Sequence, residues 1–328
     1  MAALLPLAAG PDARLAWRRT LAACAAAGTA AAVALFVRRR LSREGGRRST
    51  PGKVMALHRF AVKGLERDSL DRCCLERGGC LPNDRRWGLL RREEASEFDH
   101  TATRFVHKNK YFAACSAGLP LARLRASFDD ASETLRITEK KSGDVLLVAS
   151  LREGRGRAAV EDFFGKFLGA RGAPAEVLLV EARQRGHLGN TTAGMEAGGN
   201  GDLRTVHLVN LATVRALEAA AGVKLDPLVF RANVIFDGAE PWEEFRWVGG
   251  DVALGGARLR VVRRTIRCPA TCVDLAEAAP GPDVPALLSR HFPEHGPYFG
   301  VYAQVLGGGE VALGDTVRRL HPWWRWWA

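Results

Sequence analysis

The feature that most constrains the fold is a series of short alternating runs in the last third of the sequence. Apolar and polar residues alternate in Arg231–Phe236, in Ala257–Cys268 and in Gly300–Val317. A period of two residues predicts strands that each bury one face. One short helix signal, VPALLSRHF (Val284–Phe292), interrupts these strands. The last third of the chain therefore predicts a barrel or a tightly curved sheet.

The middle of the chain predicts further strands and a helix. Strand signals occur in Val54–Gly64, in Arg85–Leu90 and in Ala175–Ala182. Alternating runs between Leu124 and Ser150 predict an antiparallel sheet. Apolar residues at helical spacing in AAVEDFFGKFLGA (Ala158–Ala170) predict a helix that packs one face on the core.

A Gly-rich segment without periodicity, residues 183–204, divides these two regions. A loop of that length is either functional or a domain boundary. After it, Val206–Gly222 predicts a strand and a helix, with Asn210 as N-cap and Gly222 as C-cap. The chain is thus predicted to be a strand-dominated α+β protein in four parts, which are a targeting segment with its linker (1–50), a first domain (51–182), a second domain (183–320) and a Trp-rich tail (321–328).

The N-terminal segment predicts a membrane or targeting function. Thr20–Val37 is uncharged and lies between arginines. As a helix its 18 residues would span roughly 27 Å, the thickness of a bilayer core. The heavier positive charge on its C-terminal side keeps the rest of the chain in the cytosol. The alternative is an Arg-rich leader that is cleaved in another organelle.

Charge and cysteine content limit the possible partners. The net charge is +12, but residues 1–50 carry nine Arg against Asp12 and Glu44, which leaves +5 for the remainder. That mild excess does not predict nucleic-acid binding and suits a phosphate-bearing ligand or an acidic protein. The seven cysteines are odd in number and irregularly spaced, which favours reduced thiols.

Two of these cysteines, Cys268 and Cys272, follow a run of arginines. They could form a disulfide, half of a zinc site, inert core or a soft-metal site with one thiolate ligand. Arg263, Arg264 and Arg267 precede them, and neighbouring cations favour the thiolate, which binds soft metals. From the residue types alone, it is equally possible that Cys268 is an inert buried cysteine. The nearby LGGGEVALGD predicts a hairpin turn, because no Lys-Ser/Thr or helix follows it to bind phosphate.

Three longer stretches resemble the MOSC domain, namely FRANVIFDG, GGDVALGGARLRVVRRTIRCPATCVD and FGVYAQVLGGGEVALGDTV. With HRFAVKG, DRRWGLL and the leader, the chain resembles the family of the mitochondrial amidoxime-reducing component (mARC) over almost its full length. This resemblance implies a MOSC N-terminal-type, β-barrel-like domain at 51–182. It implies a MOSC β-barrel with a few helices at 183–320.

The resemblance implies a molybdenum cofactor, a pyranopterin dithiolene with a phosphate. Cys268 would be the molybdenum ligand and the catalytic residue, whereas Cys272 would be incidental. The residues that match family contacts to the cofactor, or that are expected to replace them, are Lys63, Gly64, Arg85, Arg204, Arg231, Asn233, Arg267 and Tyr302. Several arginines suit such a ligand because guanidinium groups bind anions through two donors at once.

The implied activity is reduction of N-hydroxylated compounds such as amidoximes, hydroxylamines and N-oxides, with nitrite as a further possibility. The sequence has no haem, iron–sulfur or flavin motif, so electrons are expected from cytochrome b5 and NADH-cytochrome b5 reductase. The expected protein is a monomer anchored in the mitochondrial outer membrane. The alternatives are a MOSC carrier of the cofactor or its sulfur, and a metal-free anchored interaction module.

Overall fold

The computed structural model describes residues 50–98, 106–112, 119–169, 173–182, 188 and 204–320. These residues belong to one compact unit, Thr50–Ala328. The predicted anchor at 20–37, the tail at 321–328 and nearly all of the Gly-rich segment lie outside the described residues. Within the described ranges, no helix has both the length and the hydropathy to cross a membrane.

Strands outnumber helices in the described residues, which confirms the predicted fold class. The helices are α1 (Gly154–Leu168), α2 (Leu211–Ala221) and α3 (Val284–His291). The strands are β1 (Gly52–Arg59), β2 (Val62–Lys63), β3 (Asp68–Leu70), β4 (Arg72–Leu75), β5 (Trp87–Arg91), β6 (Leu124–Asp129), β7 (Thr134–Glu139), β8 (Val145–Ser150), β9 (Val177–Glu181), β10 (Val206–Asn210), β11 (Val234–Asp237), β12 (Asp251–Leu254), β13 (Ala257–Ile266), β14 (Val273–Asp274), β15 (Ala279–Pro280), β16 (Tyr298–Gly307), β17 (Gly309–Ala312) and β18 (Thr316–Leu320).

Seven strands close a barrel in the order β1-β11-β10-β16-β13-β12-β18, with β18 paired back to β1. All neighbours are antiparallel except β10 and β11, which are parallel. The predicted barrel is therefore confirmed. Strand β1 comes from the predicted first domain but pairs with β11 and β18 of the second. The boundary between residues 182 and 183 stays a prediction.

The inward faces of the barrel strands form its core. This core is apolar, and in it the rings of Phe236 and Trp247 stack with their centroids 5.3 Å apart. A second apolar layer lies between the outside of the barrel and helices α2 and α3, around Phe230, Phe299 and Leu288. The barrel wall is thus buried on both sides where the helices cover it.

Outside the barrel, the first half of the chain has its own core. Strands β6, β7 and β8 pair as consecutive antiparallel hairpins, as the alternating runs predict. Strands β2, β5 and β9 form a second small sheet. Helix α1 packs on β8 and β9 and buries Val160 and Phe164, which confirms the predicted apolar face.

The predicted caps of helix α2 are present. The Asn210 side chain accepts a hydrogen bond from the backbone N–H of Ala212 at 3.0 Å. Gly222 ends the helix in the left-handed conformation, with φ of 66°. Both caps depend only on the capping residue itself. The short polar side chain of asparagine accepts from a free helix N–H, and glycine adopts positive φ without strain.

The predicted hairpin in LGGGEVALGD is wrong. Strand β17 follows β16 but pairs with β4, from Gly309 opposite Leu75 to Ala312 opposite Arg72. A Cβ at Gly309 would lie 2.3 Å from the Gly256 carbonyl oxygen. Glycine therefore allows the chain at residue 309 to pass close to the backbone of Gly256, so that β17 pairs with β4 and not with β16.

We predict that Gly156→Ala destabilises the protein by about 2–3 kcal/mol, because overpacking against fixed backbone is costly. A Cβ at Gly156 would lie 2.0 Å from the carbonyl oxygen of Ser150. Gly154, in the same helix, has no atom within 4 Å of its Cβ position. Gly154→Ala is thus the matched control and should be neutral or slightly stabilising. Urea unfolding of both variants measures the difference, and equal effects would contradict the packing shown for α1.

We predict that the contribution of Glu244 to the free energy of unfolding, measured as the difference between wild type and Glu244→Gln, falls as pH rises from about 4.5 to 7. Burial raises the pKa of Glu244 from 4.5 to about 7, so the folded state keeps a proton that the unfolded state has released. The stabilisation that Glu244 contributes is therefore largest below the unfolded pKa and decreases by up to about 3 kcal/mol through that window. Glu244→Gln keeps an acceptor for the Thr213 hydroxyl and should remove this dependence. Urea unfolding of both proteins at pH 5 and pH 8 checks it, and equal slopes would refute it.

Candidate functional site

Arg267 directly follows the carboxyl end of strand β13, and its side chain is buried. The pairing of β13 with β16 shifts register between Arg264 and Ile266, and a bulge of this kind re-aims the side chains beside it. Ile266 is 58% exposed, whereas Arg267 is buried. Nη1 of Arg267 donates to the Phe230 carbonyl oxygen at 3.0 Å, and its Nη2 lies 2.9 Å from Nε2 of His207.

The buried charge of Arg267 has no carboxylate partner among the described residues. Its Nε is buried without a hydrogen-bond partner in that part of the chain. Burial lowers the pKa of Arg267 to about 10, which still leaves the guanidinium charged at neutral pH. Burying such a cation without an anion costs several kcal/mol. A bound anion would offset that cost, so this guanidinium marks a candidate anion site.

Cys268 follows Arg267 directly, where β13 ends. Its thiol is free and its side chain is half-buried. The Cys268 carbonyl oxygen accepts two hydrogen bonds from Thr271, from the backbone N–H at 3.0 Å and from the hydroxyl at 2.9 Å. The short 3-10 turn Pro269–Thr271 thus fixes the main chain at Cys268. A thiol held this way and partly accessible meets the requirement for a metal ligand or nucleophile.

Two further guanidinium groups lie against the ring of Phe60. The Cζ atom of Arg231 is 4.2 Å from the ring centroid, and that of Arg85 is 4.7 Å from it. The Phe60 backbone N–H donates to Oδ1 of Asp84 at 2.8 Å, and Oδ2 of Asp84 pairs with Arg85. Aromatic faces attract cations, so Phe60 and Asp84 together hold two positive groups close to each other.

His207 connects this pair to Arg267. The Arg231 carbonyl oxygen accepts from Nη2 of Arg85 at 3.3 Å and lies 3.4 Å from Nδ1 of His207. Arg231 itself has left-handed backbone angles, φ 53° and ψ 43°. Such angles are uncommon outside glycine and occur where a site constrains the chain. The predicted contacts Arg85, Arg231 and Arg267 therefore lie along one path of hydrogen bonds through His207.

Lys63 and Gly64 approach the same region at the end of β2. Nη1 of Arg231 donates to the carbonyl oxygen of Leu65 at 2.7 Å, which places this segment beside the arginines. Gly64 has φ of 91°, where any residue with a side chain would be strained. The Nζ of Lys63 lies 3.9 Å from the ring centroid of Tyr111.

Asn233 and Tyr302 lie on either side of His207. Asn233 is buried, with Oδ1 accepting from the His207 backbone N–H and Nδ2 donating to the His58 carbonyl oxygen, both at 3.1 Å. Its amide thus bonds main-chain groups of β1 and β10, and its contact with a cofactor stays a prediction. The Tyr302 ring centroid lies 5.0 Å from that of His207.

Arg204 lies at a different part of the surface. It lines a cavity of about 570 Å³ together with Cys80, Asp84 and Arg157. Asp84 is common to this cavity and to the contacts of Arg85. Arg204 is therefore close to the predicted site but not on the path through His207, and its phosphate contact stays a prediction.

The sequence analysis did not single out His207, although it contacts most of the site. Burial and the charge of Arg267 lower its pKa well below the usual value, so the imidazole is neutral. Its strand β10 is buried at every position. A polar residue within such a strand was the available signal, because a buried imidazole requires hydrogen-bond partners. The sequence does not show that the partners are residues 231 and 267.

The comparisons with known proteins concern the second half of the chain. The family model of the MOSC domain matches residues 184–318, less than half of the chain. These residues form a MOSC domain. The MOSC domain contains Arg231, Arg267, Cys268 and Tyr302, whereas Phe60, Lys63, Gly64 and Arg85 precede it. The MOSC resemblance is therefore confirmed for residues 184–318, and the narrower resemblance to mARC stays a prediction.

Two solved structures are similar to this chain at low identity. The YuaD protein from Bacillus subtilis is 14% identical, with 84% of this chain and 98% of that chain covered and a TM-score of 0.39. YiiM from Geobacillus stearothermophilus is 20% identical, with 35% and 54% covered and a TM-score of 0.28. No curated protein matches the chain. The MOSC assignment therefore depends on the family match.

We predict that Arg267→Met changes the free energy of unfolding of the ligand-free protein by less than about 2 kcal/mol. Removing a buried charge without an anion is favourable, but the Phe230 carbonyl oxygen and Nε2 of His207 would lose their donor, so the two effects oppose each other. Urea unfolding of ligand-free protein measures the effect. A loss of more than about 2 kcal/mol, comparable to leaving a buried polar group unsatisfied, would mean that Arg267 is structural.

Proposed function

We propose that this protein is a molybdenum-cofactor-dependent reductase of N-hydroxylated compounds such as amidoximes, hydroxylamines and N-oxides. The observation that carries the proposal is the buried guanidinium of Arg267 beside the half-buried thiol of Cys268. The MOSC match at residues 184–318 supports the cofactor class. The resemblance to mARC supports the choice of reaction.

The residues fit this cofactor in charge and in ligand type. Its phosphate and dithiolene are anionic, and the Nε of Arg267 is a buried donor without a partner among the described residues. Arg85 and Arg231 add two guanidinium groups that are already positioned on Phe60. Thiolates such as that of Cys268 bind soft metal centres. The residues therefore offer a metal ligand and several anion donors within one connected region.

In this proposal the chain binds and orients, and the cofactor, when bound, supplies the two-electron chemistry that removes oxygen from the substrate as water. Cys268 would hold the metal, and Arg267 would bind an anionic group of the cofactor. The Phe60 ring covers one face of the Arg85 and Arg231 guanidinium groups. Ile266, exposed one residue before Arg267, offers an apolar surface to the organic part of the substrate.

We also infer the electron source and the location from the mARC resemblance. Cytochrome b5 and NADH-cytochrome b5 reductase supply electrons in this proposal. The net charge of +5 that remains after residues 1–50 favours an acidic cytochrome. Residues 20–37 anchor a monomer in the mitochondrial outer membrane, with residues 50–320 facing the cytosol.

We predict that Cys268→Ala abolishes benzamidoxime reduction and changes the molybdenum absorption spectrum, because the metal loses its protein ligand. Cys272→Ala is the matched control, since Cys272 is also a half-buried free cysteine and its Sγ lies 3.7 Å from Oδ1 of Asp283. We expect this control to keep both properties. Molybdenum is measured by elemental analysis. Benzamidoxime reduction is measured with cytochrome b5, NADH-cytochrome b5 reductase and NADH.

Other outcomes distinguish the alternatives. The reverse pattern between the two variants would assign the metal to Cys272. Wild-type protein that carries the cofactor and donates it to apo-enzymes, but reduces no benzamidoxime, would be a carrier. Wild-type protein without molybdenum after expression in a cofactor-producing host would overturn the molybdenum proposal.

A further inference from the structure

We propose that His207 is a positioning residue of this site, which fixes the Arg267 guanidinium and the Arg231 carbonyl group relative to each other. It does so through its two ring nitrogens, with Nε2 at 2.9 Å from Nη2 of Arg267 and Nδ1 at 3.4 Å from the Arg231 carbonyl oxygen. The inference rests on the proposed function, because it concerns how the chain presents Arg267 and Arg231 to the cofactor.

The imidazole lies against the Arg267 guanidinium and against the carbonyl groups of Arg231 and Phe299, and the 2.9 Å contact with Arg267 decides its tautomer. A guanidinium only donates hydrogen bonds and a carbonyl oxygen only accepts them. Nε2 of His207 must therefore be the unprotonated acceptor that faces Arg267, and Nδ1 must carry the proton that faces Arg231. A protonated imidazole would place a second positive charge beside Arg267. Burial and the Arg267 charge both disfavour that form.

The fold keeps space for this ring. Gly300 on β16 has φ of 72°, and a Cβ there would lie 2.9 Å from Nε2 of His207. The same Cβ would lie 2.6 Å from the carbonyl oxygen of Leu208. Glycine at this position therefore allows β16 to pass beside β10 without displacing the imidazole from Arg267.

The main chain of His207 is also fixed. Its backbone N–H donates to Oδ1 of Asn233 at 3.1 Å, and its carbonyl oxygen accepts from the Asn233 backbone N–H at 2.9 Å. Across the ladder His207 pairs with Tyr302. Groups that orient the ligands of a metal or cofactor act in this way, and their loss typically costs about 10–100-fold in affinity.

The first experiment measures the tautomer in protein prepared without cofactor. Long-range ¹H–¹⁵N NMR of selectively labelled histidine should show His207 with a proton on Nδ1 alone, from pH 6 to pH 8. A proton on Nε2, or a charged ring in this range, would overturn the proposal. This result does not depend on whether the protein binds molybdenum or reduces any substrate.

The second experiment measures how fast the loaded protein releases molybdenum after dilution. His207→Gln retains an acceptor and a donor and should stay close to wild type, whereas His207→Phe should release molybdenum about tenfold faster or more. His58→Phe is the matched control, because His58 is also buried in the barrel wall but its ring bonds the Ala232 backbone and, among the described hydrogen bonds, not Arg267. We expect His58→Phe to release molybdenum at the wild-type rate.

The outcomes separate this inference from the proposed function. Equal release from wild type and His207→Phe, or fast release from His207→Gln, would overturn the role of His207 even if the wild type is an active reductase. Circular dichroism would show whether His207→Phe folds. If it does not, molybdenum release from His207→Gln and the tautomer of His207 in the wild type test the proposal. The wild-type protein could also contain no molybdenum and yet show the Nδ1–H tautomer. This result would overturn the proposed function but would support the contact between His207 and Arg267.

Discussion

The structure of the site depends on the Arg267 guanidinium, which is removed from water and has no carboxylate partner in the part of the chain that the structure describes. A second buried arginine, Arg59, shows the usual arrangement, because Asp130 and Asp68 pair with it. At Arg59 burial lowers the pKa, but the hydrogen bonds to Asp130 and Asp68 outweigh that effect and the pKa is raised. At Arg267 burial lowers the pKa, and none of the described carboxylates opposes it. Arg59 therefore satisfies its charge within the fold, whereas the lack of such a partner at Arg267 is what supports the proposed anion site.

The barrel allows this arrangement because its strands hold each neighbour of Arg267 independently. His207 is on β10, the Phe230 carbonyl group is in the turn before β11, and Tyr302 is on β16. The first half of the chain adds Phe60 and Arg85, so the site is assembled from both halves. Such a rigid surrounding fixes groups that would otherwise repel each other or move towards solvent.

The features that could be predicted from the sequence are those that depend on residues close together in the chain. Asn210 and Gly222 cap their helix because of their own chemistry, and the apolar spacing of α1 is visible within one segment. Pairings between distant segments were not predictable in the same way. The turn after β16 has the composition of a hairpin, yet β17 pairs with β4. The resemblance indicated Arg85, Arg231 and Arg267, but only the fold shows that His207 lies between them, since its partners are 24 and 60 residues away.

The closure of the barrel by β1 has a consequence for how this chain is made. Residues 52–59 are translated early, but their partner β18 ends only at residue 320. The ring cannot be complete on the ribosome until residue 320 has emerged, and pairing at such sequence separation is slow. A shortened version starting at residue 184 would also leave the β11 and β18 edges without β1, and unpaired edges promote aggregation. The span of the family match is therefore shorter than the unit that can close a barrel.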